Sequence, residues 1–283
     1  MQRGAVRQML LNLFREVVRS VSAEACMPAR FDRPVDGRTL VIALGKGAAA
    51  MAATAVARLG GQCDGLVITR AGHAGPPHRL PPHFELLEAG HPVPDSVSTA
   101  AAARAMALAS ALGRRDRLLM LVSGGGSALM SMPAPGVTLA DKQVVTQSLL
   151  RSGATIAEIN CIRKHLSRIK GGRLAVAAAP AQVTTLLISD VPGDDPSFVA
   201  SGPTVADPTT LSDAREIVAR YGIEDAHLAT RDWFVGEAAT LADIALFAYT
   251  HRAEEGGFGL DDYPAIGRWL ARVADLPGFV TMD

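Results

Sequence analysis

Residues 118–130 read LLMLVSGGGSALM: five apolar side chains, a serine, three glycines, a second serine and the start of another apolar run. An unbroken apolar run this short suits a strand buried on both faces, as in a parallel sheet. It stops where side chains are given up altogether. Glycines let the backbone approach a ligand closely, and N–H groups at a helix start attract anions. Ser123, Gly124, Gly125, Gly126 and Ser127 are therefore read as a loop for a phosphate or a carboxylate, with a flexible turn as the plain alternative.

The same alternation extends in both directions. TLVIALG (39–45), GLVIT (65–69), FELLEAG (84–90) and VTTLLISD (183–190) have the length and composition of buried strands. Helix-forming stretches lie between them: 46–59, then a run opened by Asp95, then two runs opened by Thr138 with Asp141 and by Thr155 with Glu158, both spaced as capping boxes. Strands alternating with helices predict an α/β, Rossmann-like, doubly wound and mostly parallel sheet with helices on both faces. Ligands bind such sheets outside the carboxyl ends of the strands. Near the N-terminus Val6, Met9, Leu10, Leu13, Phe14, Val17, Val18 and Val21 recur at helical spacing and predict an amphipathic core helix.

Acids and bases balance at 28 each, so no basic field points to nucleic acid or an anionic membrane. Three scattered cysteines suit a reducing, cytoplasmic setting rather than a disulfide framework. No apolar run reaches the roughly 20 residues of a spanning helix, and no secretory signal is expected.

Other strand exits hold candidate chemistry. Lys46, after the first strand, reads either as a cation for a phosphoryl group or carboxylate, or as a surface lysine. His91, in GHPVPD (90–95), reads as a substrate hydrogen-bonding group or base, or as a structural histidine; Asp95 is an N-cap. Arg163, Lys164, His165, Lys170 and Arg173 form a local basic cluster that reads either as a grip for a phosphate or small carboxylate or as a charged solvent face; KGGR (170–173) permits close approach to an anion. Asp190, at a strand end, suits Mg²⁺ held through one carboxylate and waters; Asp194 and Asp195 are better explained by turn chemistry. No P-loop, HExxH or GxSxG pattern is present.

The segments ALGKGAAAMA, GHPVPD, LVSGGGSALM, SGATIAEINCIRKHLSRIKGGRLA and LLISDVPGDDPSFVASGPTVADPTT, in that order from about Arg3 to Ile223, resemble the N-terminal domain of the MOFRL-associated glycerate 2-kinases. Proteins of that family are often labelled hydroxypyruvate reductases. The resemblance implies ATP-dependent phosphorylation of D-glycerate at its 2-hydroxyl, with Mg²⁺. It implies Lys46 as the catalytic lysine and residues 123–127 as the nucleotide and phosphate loop. Asp190 and residues 170–173 also match motif positions of the family; with the reading of the strand exits, His91, Lys170 and Arg173 are expected toward substrate and Asp190 toward metal.

After Ile223 the expected MOFRL half gives way to a different sequence. GEAATLADI (236–244) and the helices around it resemble the last helices of a glutathione S-transferase, with Thr240 and Asp243 as a capping box and Pro264 opening a further helix. The expected organisation is an α/β domain over 1–225 and a short all-α tail over 226–283, joined near Ala226 to Thr230, with Trp233, Phe247 and Trp269 packing the tail on the α/β body. Kinase activity is then expected to be impaired. The alternatives are a non-catalytic nucleotide-binding or interaction fragment, whose exposed apolar surface would favour a homo-oligomer, and a hydroxypyruvate reductase. No GxGxxG with a downstream acidic residue follows the first strand, which counts against the last.

Overall fold

The structure is a computed structural model that describes residues 2–31, 35–60, 62–75, 80–222, 228–229, 231–234, 236–256 and 259–280. Five strands, β1 (Thr39–Leu44), β2 (Asp64–Arg70), β3 (Glu85–Ala89), β4 (Arg117–Ser123) and β5 (Gln182–Ile188), form one sheet in the order β3-β2-β1-β4-β5. Every pairing is parallel. The helices in chain order are α1 (Gln2–Ser20), α2 (Ala23–Cys26), α3 (Ala48–Arg58), α4 (Ser96–Ser110), α5 (Gly126–Leu129) and α6 (Leu139–Arg151). They continue with α7 (Ile156–His165), α8 (Arg173–Ala178), α9 (Leu211–Arg220), α10 (Leu241–Thr250) and α11 (Pro264–Ala274).

The chain divides into two compact units, Met1–Met132 with Ile169–Asp207, and Pro133–Arg168 with Pro208–Asp283. The sheet belongs to the first. All residues of β1 and β4 are buried, because successive side chains point to opposite faces and both faces are covered. Leu40, Ile42 and Leu44 meet the alanines of α4 and Leu174 of α8, whereas Val41 and Ala43 meet Met51, Ala52 and Ala55 of α3. Small alanine side chains let these helices lie close to the strands. Leu44 pairs with Ile68 on one side and Val122 on the other, and Ser123 pairs with Ile188. The ends of β2, β1, β4 and β5 are therefore level. The strand order reverses between β1 and β4, where a doubly wound sheet opens its ligand crevice.

The N-terminal periodicity does form a helix, α1, but not a core helix: Val6, Met9, Leu10, Leu13, Phe14, Val17 and Val18 are each 50–66% exposed. The layer on that sheet face is filled instead by α3 and by Ala23 and Met27, in and just after α2.

In the second unit, α6, α7 and α9 each begin with a threonine capping box, Thr138 with Asp141, Thr155 with Glu158 and Thr210 with Asp213. They bury Leu149, Ile159, Ile162, Ala214 and Ile217 together. A separate cluster holds Leu228, Phe247, Ala265, Ile266, Trp269 and Val273, with Trp233 and Phe234 packed against it. The aromatic residues expected on the α/β body thus pack on one another. Trp269 is fully buried, 4.9 Å from Phe234 and 6.3 Å from Phe247 between ring centroids. The expected join, Ala226 to Thr230, lies outside the described residues except for Leu228 and Ala229.

Candidate functional site

The site is built where β1 and β4 end side by side. Gly45 has φ +119°, and a Cβ placed on it would lie 2.4 Å from both the carbonyl oxygen and Oγ of Ser123. Only glycine lets the two exits approach this closely. The approach is then bonded: Lys46 N donates to Gly124 O at 2.9 Å, and Gly47 N donates to Ser123 Oγ at 2.9 Å. Ser123, expected to face a phosphate, is buried and spends its hydroxyl on this lacing.

Gly125 follows with φ +85° as the N-cap of α5. A Cβ at Gly125 would stand 3.0 Å from His91 Cδ2 and Nε2 and 3.3 Å from Lys46 Cε. A Cβ at Gly124 would stand 2.1 Å from Asp190 Oδ2. Lys46, His91, Gly124, Gly125 and Asp190, drawn from the exits of β1, β3, β4 and β5, therefore meet on one rim of the sheet. Lys46 and Asp190 are exposed there.

Lys170 and Arg173 stand elsewhere. Lys170 is buried with its ammonium on Ser127 O and Met130 O, and Arg173 Nη1 donates to Lys170 O at 2.9 Å. The hydroxyl of Ser127 bonds that of Ser201.

Two groups were missed by reading the sequence. The first is the pair Arg70 and His73 at and after the end of β2, whose charges act on His91; basic residues at a parallel strand end beside glycine were the available signal. The second is Ser201, fully buried, which with Ala200 has left-handed φ (60° and 52°), a conformation that side chains other than glycine rarely adopt. Nothing local in the sequence announces it.

Partial burial, then the charge of Lys46, then that of Arg70, push the His91 imidazole below its ordinary range, with Asp190 opposing and His73 adding to the lowering. His91 is consequently neutral at pH 7. An NMR titration of the His91 ring should show a midpoint below that of an exposed histidine, and the midpoint should rise when Lys46 is replaced by methionine. A midpoint indifferent to Lys46 would contradict this arrangement of charges.

The comparisons with known proteins agree with the motifs. A family model described as domain of unknown function DUF4147 matches residues 9–234. The glutathione S-transferase C-terminal domain model matches residues 197–277, so the tail resemblance is borne out with an earlier start. A protein of Agrobacterium vitis named putative hydroxypyruvate reductase is 51% identical over 221 residues, 78% of this chain and 50% of its own length. The D-glycerate 2-kinase of Thermotoga maritima is 38% identical over 228 residues, 80% of this chain and 54% of its own. A crystal structure of glycerate kinase from Thermotoga maritima superimposes with a TM-score of 0.69 at 35% identity, covering 79% of this chain and 55% of that one. The chain spans about half the length of the curated relatives it matches. On the ordered motifs, the parallel sheet and the match over residues 9–234, the chain belongs to the DUF4147 family.

Proposed function

We propose that the chain is an ATP-dependent phosphotransferase acting on the 2-hydroxyl of D-glycerate. The observation that carries this reading is the approach of Lys46 Cε to within 3.3 Å of a Cβ placed on Gly125, at the point where the strand order reverses. Phosphoryl transfer needs little covalent help; it needs positioning and cationic charge where negative charge develops. The N–H groups of Gly126 and Ser127 open α5 and, at a helix start, have no carbonyl one turn back. With Gly125 they take the phosphate oxygens, while Lys46 neutralises charge on the group in transit. Neutral His91 offers a hydrogen bond to the substrate without adding charge.

Asp190 fits a magnesium ion carried in by the nucleotide. Among the described residues no three His, Cys, Asp or Glu side chains gather as a metal cage. Mg²⁺ commonly takes one or two carboxylates with phosphate oxygens and waters. When bound it would offset charge on the phosphate oxygens.

The name of the Agrobacterium vitis relative raises hydride transfer as the second reading. Residues 45–50, Gly-Lys-Gly-Ala-Ala-Ala, do keep a GxGxxA spacing. The N–H groups of Lys46, Gly47 and Ala48, however, already donate to Gly124 O, Ser123 Oγ and Gly45 O. That helix start does not offer them to a pyrophosphate, which favours the kinase.

The test is ADP release with ATP, Mg²⁺ and D-glycerate, with ³¹P NMR of the product. Slow glycerate-dependent ADP release with a 2-phosphoglycerate signal is expected, in keeping with the impaired activity anticipated above. Oxidation of NADH by hydroxypyruvate without ADP release would replace this reading with the reductase.

A further inference from the structure

The loop assigned to phosphate is held from beneath by a side chain away from its open rim. Lys170 is 1% exposed, and its ammonium donates to Ser127 O at 2.8 Å and Met130 O at 3.0 Å. Ser127 is the second residue of the single turn α5, and Met130 is its C-cap. A buried ammonium is costly, and hydrogen bonds from a charged donor are about twice as strong as neutral ones. The next two residues extend the hold. Gly171 N donates to Ser201 O at 3.1 Å and Gly172 N to Gly202 O at 2.8 Å, while the Ser201 and Ser127 hydroxyls bond each other. Gly171 and Gly172 reach these positions with φ 58° and 80°. The left-handed backbone of Ala200 and Ser201 persists because this tripeptide fixes it from the other side.

We propose that Lys170 is a positioning residue, the foot of a clamp that aims the N–H groups of Gly125, Gly126 and Ser127 at phosphate oxygens, with Ser201 as its second contact. The inference rests on the phosphate reading of that loop and corrects the expectation that Lys170 grips substrate directly. Holding one carbonyl inside a one-turn helix and the carbonyl of its C-cap with a single ammonium fixes the turn, and so the direction of the amides at its start. A cation at that end also complements the helix dipole.

The experiment uses the full chain and the variants Lys170→Met, Lys170→Arg and Ser201→Ala, each checked for folding by circular dichroism. ADP and inorganic phosphate are titrated by calorimetry, and KM for ATP and D-glycerate is measured by ADP release. Lys170→Met should bind ADP about ten- to a hundredfold more weakly and raise KM for ATP, with KM for D-glycerate unchanged. Lys170→Arg should recover part of the loss because it keeps the charge but not the geometry. Ser201→Ala should lose about threefold, a single neutral hydrogen bond. A wild type that binds neither probe sinks the phosphate reading and this inference with it. A wild type that binds while folded Lys170→Met binds equally well sinks the clamp alone. If Lys170→Met does not fold, Ser201→Ala decides: unchanged ADP affinity overturns the clamp and weakened affinity supports it.

Discussion

With Lys46 replaced by methionine, glycerate-dependent ADP release is expected to fall by about 10²–10³-fold, the usual loss when one electrostatic group facing the transition state is removed. Methionine keeps the apolar stem and loses only the charge. The exposed side chain contributes little to folding, and the backbone bond from residue 46 N to Gly124 O survives the change, so the melting temperature should hold. KM for ATP should rise less than kcat falls, because the loop amides still grip the ground-state phosphates. Lys46→Arg should restore only part of the rate, since a planar guanidinium does not occupy the place of a point-charge ammonium. Unchanged turnover in Lys46→Met, measured by the same ADP assay, would remove Lys46 from the chemistry.

The second large effect concerns stability. Asp243 is fully buried at the start of α10. Its carboxylate accepts from Phe234 N at 2.9 Å, Thr240 N and Thr240 Oγ1 at 2.9 Å, and Trp269 Nε1 at 3.0 Å. Asp243→Ala strands these donors, and buried donors without an acceptor cost about 1–3 kcal/mol each where water cannot replace the partner. A loss of ~3–4 kcal/mol from the tail is expected, some donors regaining water. The two tryptophans of the chain, Trp233 and Trp269, both belong to this cluster. Urea unfolding followed by tryptophan fluorescence therefore reads the tail, and circular dichroism reads the whole chain. A fluorescence midpoint within error of wild type would refute the role.

Asp243 also gives the tail a pH dependence of fixed sign. Burial raises its carboxyl, but the hydrogen bonds from Phe234, Thr240 and Trp269 outweigh burial and hold it below the ordinary aspartate range. The unfolded chain then takes up its proton first as pH falls. Stability from this group is full above the ordinary aspartate range and is lost as pH falls through the lower folded value. Asp243→Asn should flatten that acid limb while lowering stability at neutral pH.

Much of this was legible in the sequence. Buried strands announce themselves by short unbroken apolar runs, and β1, β2, β4 and β5 lie within a residue or two of where those runs fall. Capping boxes are local chemistry, and Thr138, Thr155 and Thr240 make the bonds their spacing implies. The convergence of strand exits follows from parallel topology alone. What stayed hidden depended on distant partners. Periodicity shows that α1 has an apolar face but cannot say that α2 and α3 already fill the layer. A lysine beside two glycines looks like an anion grip; only the fold shows its ammonium turned toward the carbonyls of Ser127 and Met130.

The two bonds that lace Lys46 and Gly47 to Gly124 and Ser123 make the turns after β1 and β4 a single heritable cassette. A chimera that imports one turn from a distant relative meets the host's unmatched serine or glycine opposite, whereas exchanging both turns together carries the interlock along. Shuffling of this region among homologues should therefore succeed in pairs and fail in singles.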